Sequence, residues 1–331
     1  MISSNSDPQV QRKLSEILRI ISESEGAIGA RIIADKMRER GYKIGERGVR
    51  YHLRILDERG LTAREGYSGR VITESGLREL EDGLIGHRVG FVITTIDELV
   101  YNTNIDVDTG EGSVIVNTAL IDKDDFDEAI DVITAFSESP YSISPYIKIL
   151  EEDSLGIKIP QGKVGIATVC SITIDGILAR SGIPVNTKYG GLVRVIDEKP
   201  VDFSDLILYN GTTIDPMKIF INKGMTSVME ALKTGNGKLL ANVREIPVSA
   251  RDYAIEVLEK AKGINIDGVI EVGEPSTPVL RAPVNAGKIG VSLYAGINNM
   301  VAVQESGIEV FIHPISSIID FKDMTRIWSC P

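Results

Sequence analysis

Apolar residues in the first 60 positions recur every three to four residues, which is the spacing of one helical face. The pattern predicts helices over about 9–24, 29–41 and 44–60. In the third stretch Val49, Leu53 and Leu56 share one face, and the opposite face is polar and cationic. A helix with a narrow apolar stripe and a basic outer face is typical of an element that packs on a small core and contacts nucleic acid.

The hydrophobic spacing changes after Gly60, which is expected to end the third helix. Residues 61–65 and 70–73 flank a Gly-Tyr-Ser-Gly turn and predict two short strands. Three helices followed by a hairpin predict a winged helix-turn-helix. Thr73 is a plausible N-cap for a helix to about Asp82, and a further apolar stripe predicts a helix over 87–104.

The remaining chain contains an internal duplication with a constant offset of 125 residues. Gly110, Asn117 and Gly165 recur as Gly235, Asn242 and Gly290, and the run 181–183 recurs as 306–308. Each copy predicts the order strand, helix, strand, strand, helix, strand, which is the ferredoxin-like split. The two copies are compatible with one extended antiparallel sheet or with two facing sheets.

The predicted fold class is therefore α+β, with an N-terminal winged helix-turn-helix and a C-terminal tandem ferredoxin-like regulatory domain. The predicted boundaries are 1–86 for the winged helix, 87–104 for a linker helix and 105–331 for the duplicated domain. The two repeats are expected at about 105–212 and 213–331.

Charge is unevenly distributed along a chain whose formal net charge is −11. Residues 31–70 carry 11 basic and 6 acidic residues, whereas residues 89–331 carry 20 basic and 33 acidic ones. Phosphate neutralisation is local, so a basic module on an acidic body is compatible with DNA binding. Two cysteines without metal-ligand spacing, no long apolar run and no signal-like N-terminus predict a cytoplasmic protein with no membrane segment.

The outer face of the third helix supplies the predicted DNA-reading groups, because arginine can read guanine bidentately in the major groove. They are Arg47, Arg50, Tyr51 and Arg54. Three further arginines are predicted phosphate contacts, with ordinary surface charge as the alternative: Arg31, Arg64 and Arg70. A solvated basic face is the alternative for the helix itself, and His52 is expected to be packed.

Several segments resemble the NrpR family of archaeal nitrogen-regulon repressors. Its DNA-binding domain is similar to 29–35, 48–58 and 66–74, and its regulatory domain to 88–92, 171–178, 188–192, 211–216 and 223–228. The resemblance covers about 9–325. It implies repression of nitrogen fixation and assimilation genes from an inverted-repeat operator, and release by 2-oxoglutarate.

The resemblance also bears on partners. Some family members carry two regulatory domains, whereas this chain carries one. Since other polypeptides supply further regulatory domains in the split arrangement of the family, the resemblance implies a second NrpR-type chain that lacks the DNA-binding domain as a partner. The other expected partners are double-stranded operator DNA and a second copy of this chain in a homo-oligomer, because a dimer places two recognition helices in successive major grooves.

A dianionic effector requires cations together with backbone or hydroxyl donors. Residues 170–173 open a helix whose free N–H groups favour a carboxylate, and residues 186–194 supply cations, hydroxyls and two glycines. The predicted effector-binding residues are Cys170, Ser171, Thr173, Thr187, Lys188, Tyr189 and Arg194. The alternative is that these residues are turns and caps of a structural sheet.

No cofactor, metal site or catalytic constellation is predicted, and the chain is expected not to be an enzyme. His52, His87 and His313 are scattered, and no phosphate-binding glycine loop precedes a Lys-Ser/Thr pair. The alternatives to the repressor reading are a winged-helix regulator of a different metabolite and an enzyme fused to a winged helix.

Overall fold

The structure is a computed structural model that describes residues 8–24, 26–66, 68–73, 75–77, 92–151, 155 and 157–327. Residues 78–82 of the predicted helix after the hairpin, and 87–91 of the predicted linker helix, lie outside this part. The chain divides into two compact units, residues 1–90 and 91–331.

The described part of the first unit contains three helices and a hairpin in the predicted order, and residues 75–77 after the hairpin are helical. Their bounds are α1 Pro8–Ser22, α2 Ala30–Glu39, α3 Glu46–Glu58, β1 Thr62–Glu65 and β2 Gly69–Ile72. The strands pair antiparallel from Thr62↔Ile72 to Glu65↔Gly69. Ile28 adds a single bridge to Arg70, so the hairpin is tied to the segment that precedes α2.

Helix α3 ends where the sequence predicts. Gly60 has φ 72°, in the left-handed region that favours glycine. Its N–H donates to Asp57 O, and the N–H of Leu61 donates back to Leu56 O, which together form a Schellman cap. The cap reverses the chain directly into β1, so the hairpin begins beside the end of α3.

The second unit follows the predicted duplicated order, with three additional elements in 199–234. Its elements are α4 Val92–Asn102, β3 Ser113–Asp122, α5 Phe126–Ser137, β4 Tyr146–Leu150, β5 Lys163–Val169, α6 Ile172–Arg180, β6 Asn186–Ile196, β7 Lys199–Leu208, α7 Pro216–Asn222, α8 Val228–Thr234, β8 Gly237–Pro247, α9 Arg251–Gly263, β9 Val269–Val272, β10 Lys288–Tyr294, α10 Asn298–Glu305, β11 Val310–Asp320 and β12 Thr325–Arg326. The additions that the sequence analysis did not predict are β7, α7 and α8, together with the short β12 after the last strand of the second repeat.

The strands form two five-stranded sheets, in the orders β11-β3-β5-β4-β12 and β7-β6-β8-β10-β9. The last strand of each repeat therefore joins the sheet of the other repeat. Strand β6 pairs antiparallel with β8 of the second copy, and β11 pairs antiparallel with β3 of the first. Of the two predicted alternatives, one extended sheet is wrong, because these strands form two separate sheets, each completed by the last strand of the other repeat.

Helices of the two repeats also pack across the boundary, α5 against α10 and α6 against α9. The buried side chains of both halves form one continuous hydrophobic core. Helix α4 contributes Ile96 to this core and lies in the second unit. The predicted domain boundaries remain a prediction, although strand exchange gives neither repeat a complete sheet of its own.

Candidate functional site

The first candidate site is the outer face of α3. Val49, Leu53 and Leu56 are buried, so the helix is held by the predicted apolar stripe. On the opposite face Arg47, Arg50, Tyr51 and Arg54 are all exposed. A row of cationic groups on a rigid helix is what major-groove recognition requires.

Two of these arginines make ion pairs within the helix. Arg50 lies 2.5 Å from Glu46, and Arg54 lies 3.2 Å from Glu58, each at i,i+4 spacing. Such exposed pairs are worth only about 0.3–0.5 kcal/mol, so a phosphate or a guanine edge can displace the acidic partner. Arg47 has no ion-pair partner among the described residues.

The predicted phosphate contacts separate into two classes. Arg31 and Arg64 are exposed, and Arg64 lies 3.9 Å from Asp57. Arg70 is different, because its guanidinium makes hydrogen bonds of 2.8 and 2.9 Å to both carboxylate oxygens of Asp57. Its side chain is only 12% exposed. The geometry indicates that Arg70 and Asp57 hold the hairpin against α3, a contact that we call the brace.

Asp57 is the centre of that brace, a role the sequence analysis did not assign. Thr62 donates a hydrogen bond of 2.7 Å to the same carboxylate. Burial opposes ionisation of Asp57, but the hydrogen bonds from Arg70 and Thr62 outweigh it and lower its pKa. An acidic residue one position before the last residue of α3 was the available signal, but its partner is 13 residues away.

His52 is buried, as the sequence predicts, with its ring edge against Tyr51 at 5.4 Å between centroids. Burial, with a smaller contribution from Lys13, lowers its pKa and keeps the imidazole neutral.

The second candidate site is a small cavity where the two repeats meet. Its polar lining comes from Asn117 and its counterpart Asn242, from Ser171 and from Tyr209. The residues just before α6 and α10 also border it, through Cys170 and Gly296. The dipole of a helix favours negative charge at its N-terminus, so the cavity is a candidate anion site.

The cavity is nearly closed in this structure. Its volume is about 10 Å³, enough for about one water molecule. The hydroxyl of Ser171 hydrogen-bonds Oδ1 of Asn242 at 3.1 Å, which ties one repeat to the other. The Asn117 amide nitrogen is buried with no hydrogen-bond partner in the described part of the chain. The sequence analysis found both asparagines as duplicated positions but gave them no role.

Burial shifts the titratable groups around this cavity. It raises the pKa of the Cys170 thiol to about 12, so that thiol stays protonated. Burial likewise raises the pKa of Tyr209 and raises that of Asp215 to about 6. The charge of Asp215 contributes to the shifts of both Cys170 and Tyr209. Its carboxylate accepts a hydrogen bond of 2.9 Å from the N–H of Met217, a residue of the cavity lining.

Thr173 lies outside the cavity lining, and its hydroxyl is used structurally. It bonds both the N–H and the carbonyl of Ile115, at 3.0 and 3.1 Å. In the other repeat Asn298 makes the same two contacts with Leu240, at 3.0 and 2.8 Å. Both pairs are related by the 125-residue offset, so this is a duplicated clamp between strand and helix.

Thr187 and Lys188 lie at the start of β6, in a buried polar network with β8. Thr187 donates to Asp175, which pairs with Arg244 at 2.6 Å. The Lys188 ammonium lies 2.5 Å from Glu245. It also donates to Asn285 Oδ1 at 3.1 Å and to Pro283 O at 3.2 Å.

The ammonium of Lys188 also lies 5.1 Å from the ring centre of Tyr189, which is half-buried. Arg194 is bidentate to Asp202, at 2.6 and 2.7 Å. It lies six residues along β6 from Lys188, about 20 Å in an extended strand. The structure thus brings Cys170 and Ser171 together at the cavity, places 187–189 in a neighbouring network, and separates Arg194 from both.

Comparisons with known proteins divide the chain as the structure does, into an N-terminal and a C-terminal unit. A family model described as NrpR regulatory domains NRD1 and 2 matches residues 89–326. One described as the Ribonuclease R winged-helix domain matches residues 15–80. The chain is 50% identical to the global nitrogen regulator NrpRI of Methanosarcina mazei, over 97% of this chain and 99% of that protein.

Two longer relatives are the global nitrogen regulators NrpR of Methanococcus maripaludis and Methanocaldococcus jannaschii. Each is 36% identical, over 94% and 97% of this chain. The chain spans about half the length of these two, 54% and 56%. The crystal structure of a nitrogen repressor-like protein from Methanococcus jannaschii matches with a TM-score of 0.63 and 30% identity, covering 72% of this chain and all of the other.

Proposed function

Because the chain belongs to the NrpR family of nitrogen regulators, we propose that it represses nitrogen fixation and assimilation genes and is released from an inverted-repeat operator by 2-oxoglutarate. That the chain is a nitrogen-regulating transcriptional repressor with a winged-helix DNA-binding domain, and not an enzyme, follows from its relatives. The observation that carries the operator contact is the exposed arginine face of α3 beside a braced hairpin.

Operator symmetry follows from the mode of binding. Two copies of α3 in successive major grooves would be about 34 Å apart, so a dimer would read two half-sites one helical turn apart. Relatives twice as long support a further proposal, that a second NrpR-type chain without a DNA-binding domain associates with this one. Co-purification with that chain tests it.

The operator contact is tested with Arg50→Ala. We expect a loss of about 1–3 kcal/mol in operator affinity, because one guanidinium fork to a base edge is removed. Fluorescence anisotropy on labelled promoter DNA measures it. Lys260→Ala, an exposed cation of the second unit, is the matched control and is expected to bind normally. Equal affinities for both variants would contradict the proposed face.

The effector proposal rests on the cavity between the repeats. Its lining residues Asn117, Asn242 and Ser171 carry amide and hydroxyl donors for a dicarboxylate. The cation beside them is the buried guanidinium of Arg244, which lies 3.5 Å from Oδ1 of Asn242. 2-Oxoglutarate has ten non-hydrogen atoms, whereas the cavity has room for about one water molecule. Binding would therefore open the contact between Ser171 and Asn242, and a ligand that prefers the open form draws the equilibrium away from the closed one.

A gel-shift titration on nitrogen-gene promoter DNA, with and without 2-oxoglutarate, tests this coupling. A hundredfold loss of affinity on effector addition corresponds to about 2.7 kcal/mol of differential binding. Ser171→Ala removes the hydroxyl that joins the repeats and is expected to change the effector concentration at half-release. Release by another small acid, with no response to 2-oxoglutarate, would instead favour the regulator of a different metabolite.

A further inference from the structure

The two sheets differ at one outer edge, although their repeats are related by duplication. In the first sheet β12 covers the outside of β4, with Thr325 opposite Ile147 and Arg326 opposite Tyr146. The N–H of Ile327 donates to Pro145 O at 2.9 Å. Met324 and Ile327, which flank the pair, are 5% and 2% exposed. A four-residue extended segment is enough to close this edge.

The counterpart of β4 in the second sheet is β9, as its register shows. Ile147 pairs with Thr168, and Val269 pairs with Leu293, which is 125 residues after Thr168. Strand β9 is the last strand of its sheet order, and no strand of the described chain covers its outer side. The segment just before β9 is already hydrogen-bonded, because the N–H of Asp267 donates to Ile143 O at 2.8 Å. The open edge therefore starts at Val269.

A groove of about 190 Å³ runs between this edge and α9. Its helical wall is a single stripe at i, i+3, i+4 and i+7, and its strand wall is Val269 and Val272. The stripe consists of Ile255, Leu258, Glu259 and Lys262. A groove with one helical wall and one unpaired strand edge is the geometry in which domains add an extended peptide as a further strand.

The groove has an acidic rim. Of the three charged residues in its lining, Glu259 is exposed, and the ammonium of Lys262 is paired with Asp267 at 3.3 Å. Two carboxylates and one ammonium leave a net charge of −1, which favours a cationic ligand. The segment that closes the other sheet has that character, with one arginine between two buried apolar residues.

We propose that the β9–α9 groove binds an extended segment of a partner polypeptide, which pairs with β9 as a sixth strand and carries one cationic residue flanked by apolar ones. This interaction surface is independent of both the DNA face and the effector cavity. Backbone pairing supplies affinity, and the groove and its acidic rim select the side chains. Unpaired strand edges are otherwise sites of unwanted association, so an acidic rim also limits which chains can pair there.

The test uses the full chain and a fluorescein-labelled peptide with the sequence of residues 321–327, Phe-Lys-Asp-Met-Thr-Arg-Ile. Anisotropy is expected to show saturable binding that weakens about tenfold when the peptide arginine is replaced by glutamate. In the protein, Glu259→Lys is expected to weaken binding similarly. Glu230→Lys, on the exposed face of α8, makes the same change of net charge away from the groove and is expected to leave binding unchanged. If Glu259→Lys fails to fold by circular dichroism, Glu259→Gln at the same exposed helical position is used.

Three results would overturn the proposal. The first is no saturable binding of the peptide. The second is binding that ignores the groove variants but is lost with Lys148→Glu on β4, which would mean that the peptide displaces β12. The third is a change in the molar mass of the groove variant by light scattering, which would assign the groove to a second copy of this chain.

Discussion

Among single residues, Arg64 and Arg70 occupy paired positions of the hairpin but differ in exposure and in the contacts of their guanidinium groups. Composition and position make them equivalent, and both were predicted to contact phosphate. Only one is exposed, because the other is held by Asp57 from α3. A side chain committed to a bidentate carboxylate is a poor phosphate ligand unless that contact breaks.

This division predicts different salt dependences of DNA binding. Arg64→Ala is expected to reduce the slope of log affinity against log salt by about one phosphate contact, with little change in stability. Arg70→Ala is expected to leave that slope nearly unchanged but to lower the melting temperature, because Asp57 loses its partner. Titrations at several salt concentrations, together with thermal melts, distinguish them. A reduced slope in both variants would restore Arg70 as a phosphate contact.

Asp215 gives a prediction with a defined pH window. Burial raises its pKa from 3.8 to about 6, so between these values the folded chain retains a proton that the unfolded chain releases. The favourable contribution is present below about pH 4 and is lost as pH rises through 6. Asp215→Asn is therefore expected to stabilise the protein at pH 8 by roughly 1–3 kcal/mol.

That gain is expected to shrink towards zero as the pH falls to 4, since wild-type Asp215 is then protonated in both states. Urea unfolding at both pH values measures the difference. A constant difference across the range would mean that Asp215 does not titrate in this window.

Among elements, β6 is the one whose placement depends most on buried polar contacts. Arg244 of β8 is fully buried and pairs with Asp175 of α6, which also accepts from Thr187 of β6. The network therefore joins an element of the first repeat to a strand of the second. Removing one member of a buried pair leaves an uncompensated charge, which costs more than the pair itself contributes.

Arg244→Met is accordingly expected to destabilise the fold by about 3–5 kcal/mol. Combining it with Asp175→Asn is expected to recover part of that loss, because the uncompensated carboxylate is removed. Lys260→Ala, which breaks an exposed pair with Asp108, serves as the control and is expected to leave the stability nearly unchanged. Chemical unfolding of the four proteins provides the comparison, and equal effects of Arg244→Met and Lys260→Ala would show that the network is not structural.

For the molecule as a whole, the exchange of last strands makes the two repeats interdependent. The first sheet needs β11 and the second needs β6, so neither repeat can pair all its edges alone. We expect fragments 92–212 and 213–331 to be insoluble or unfolded when produced separately. Produced together, they are expected to co-purify as a folded complex. A cooperative unfolding transition from either fragment alone, as a monomer, would contradict this interdependence.

The sequence by itself determined the local features of this protein. Helical and strand periodicity located most elements, because burial of one face leaves a 3.6- or 2-residue period. Gly60 marked the end of α3 through its left-handed backbone, and the 125-residue offset disclosed the duplication. Cationic residues opposite the stripe of Val49 and Leu53 indicated the DNA face.

The tertiary structure decided what depends on pairs distant in sequence. Periodicity records which face of a strand is buried but not which sheet it joins, so the exchange of β6 and β11 left no local signal. The periodicity of the sequence also does not reveal that Arg70 contacts Asp57, that Arg194 pairs with Asp202, or that Asn117 and Asn242 line one cavity. These contacts arise from packing between elements, and their free energies come from neighbours that only the folded chain brings within a few ångströms.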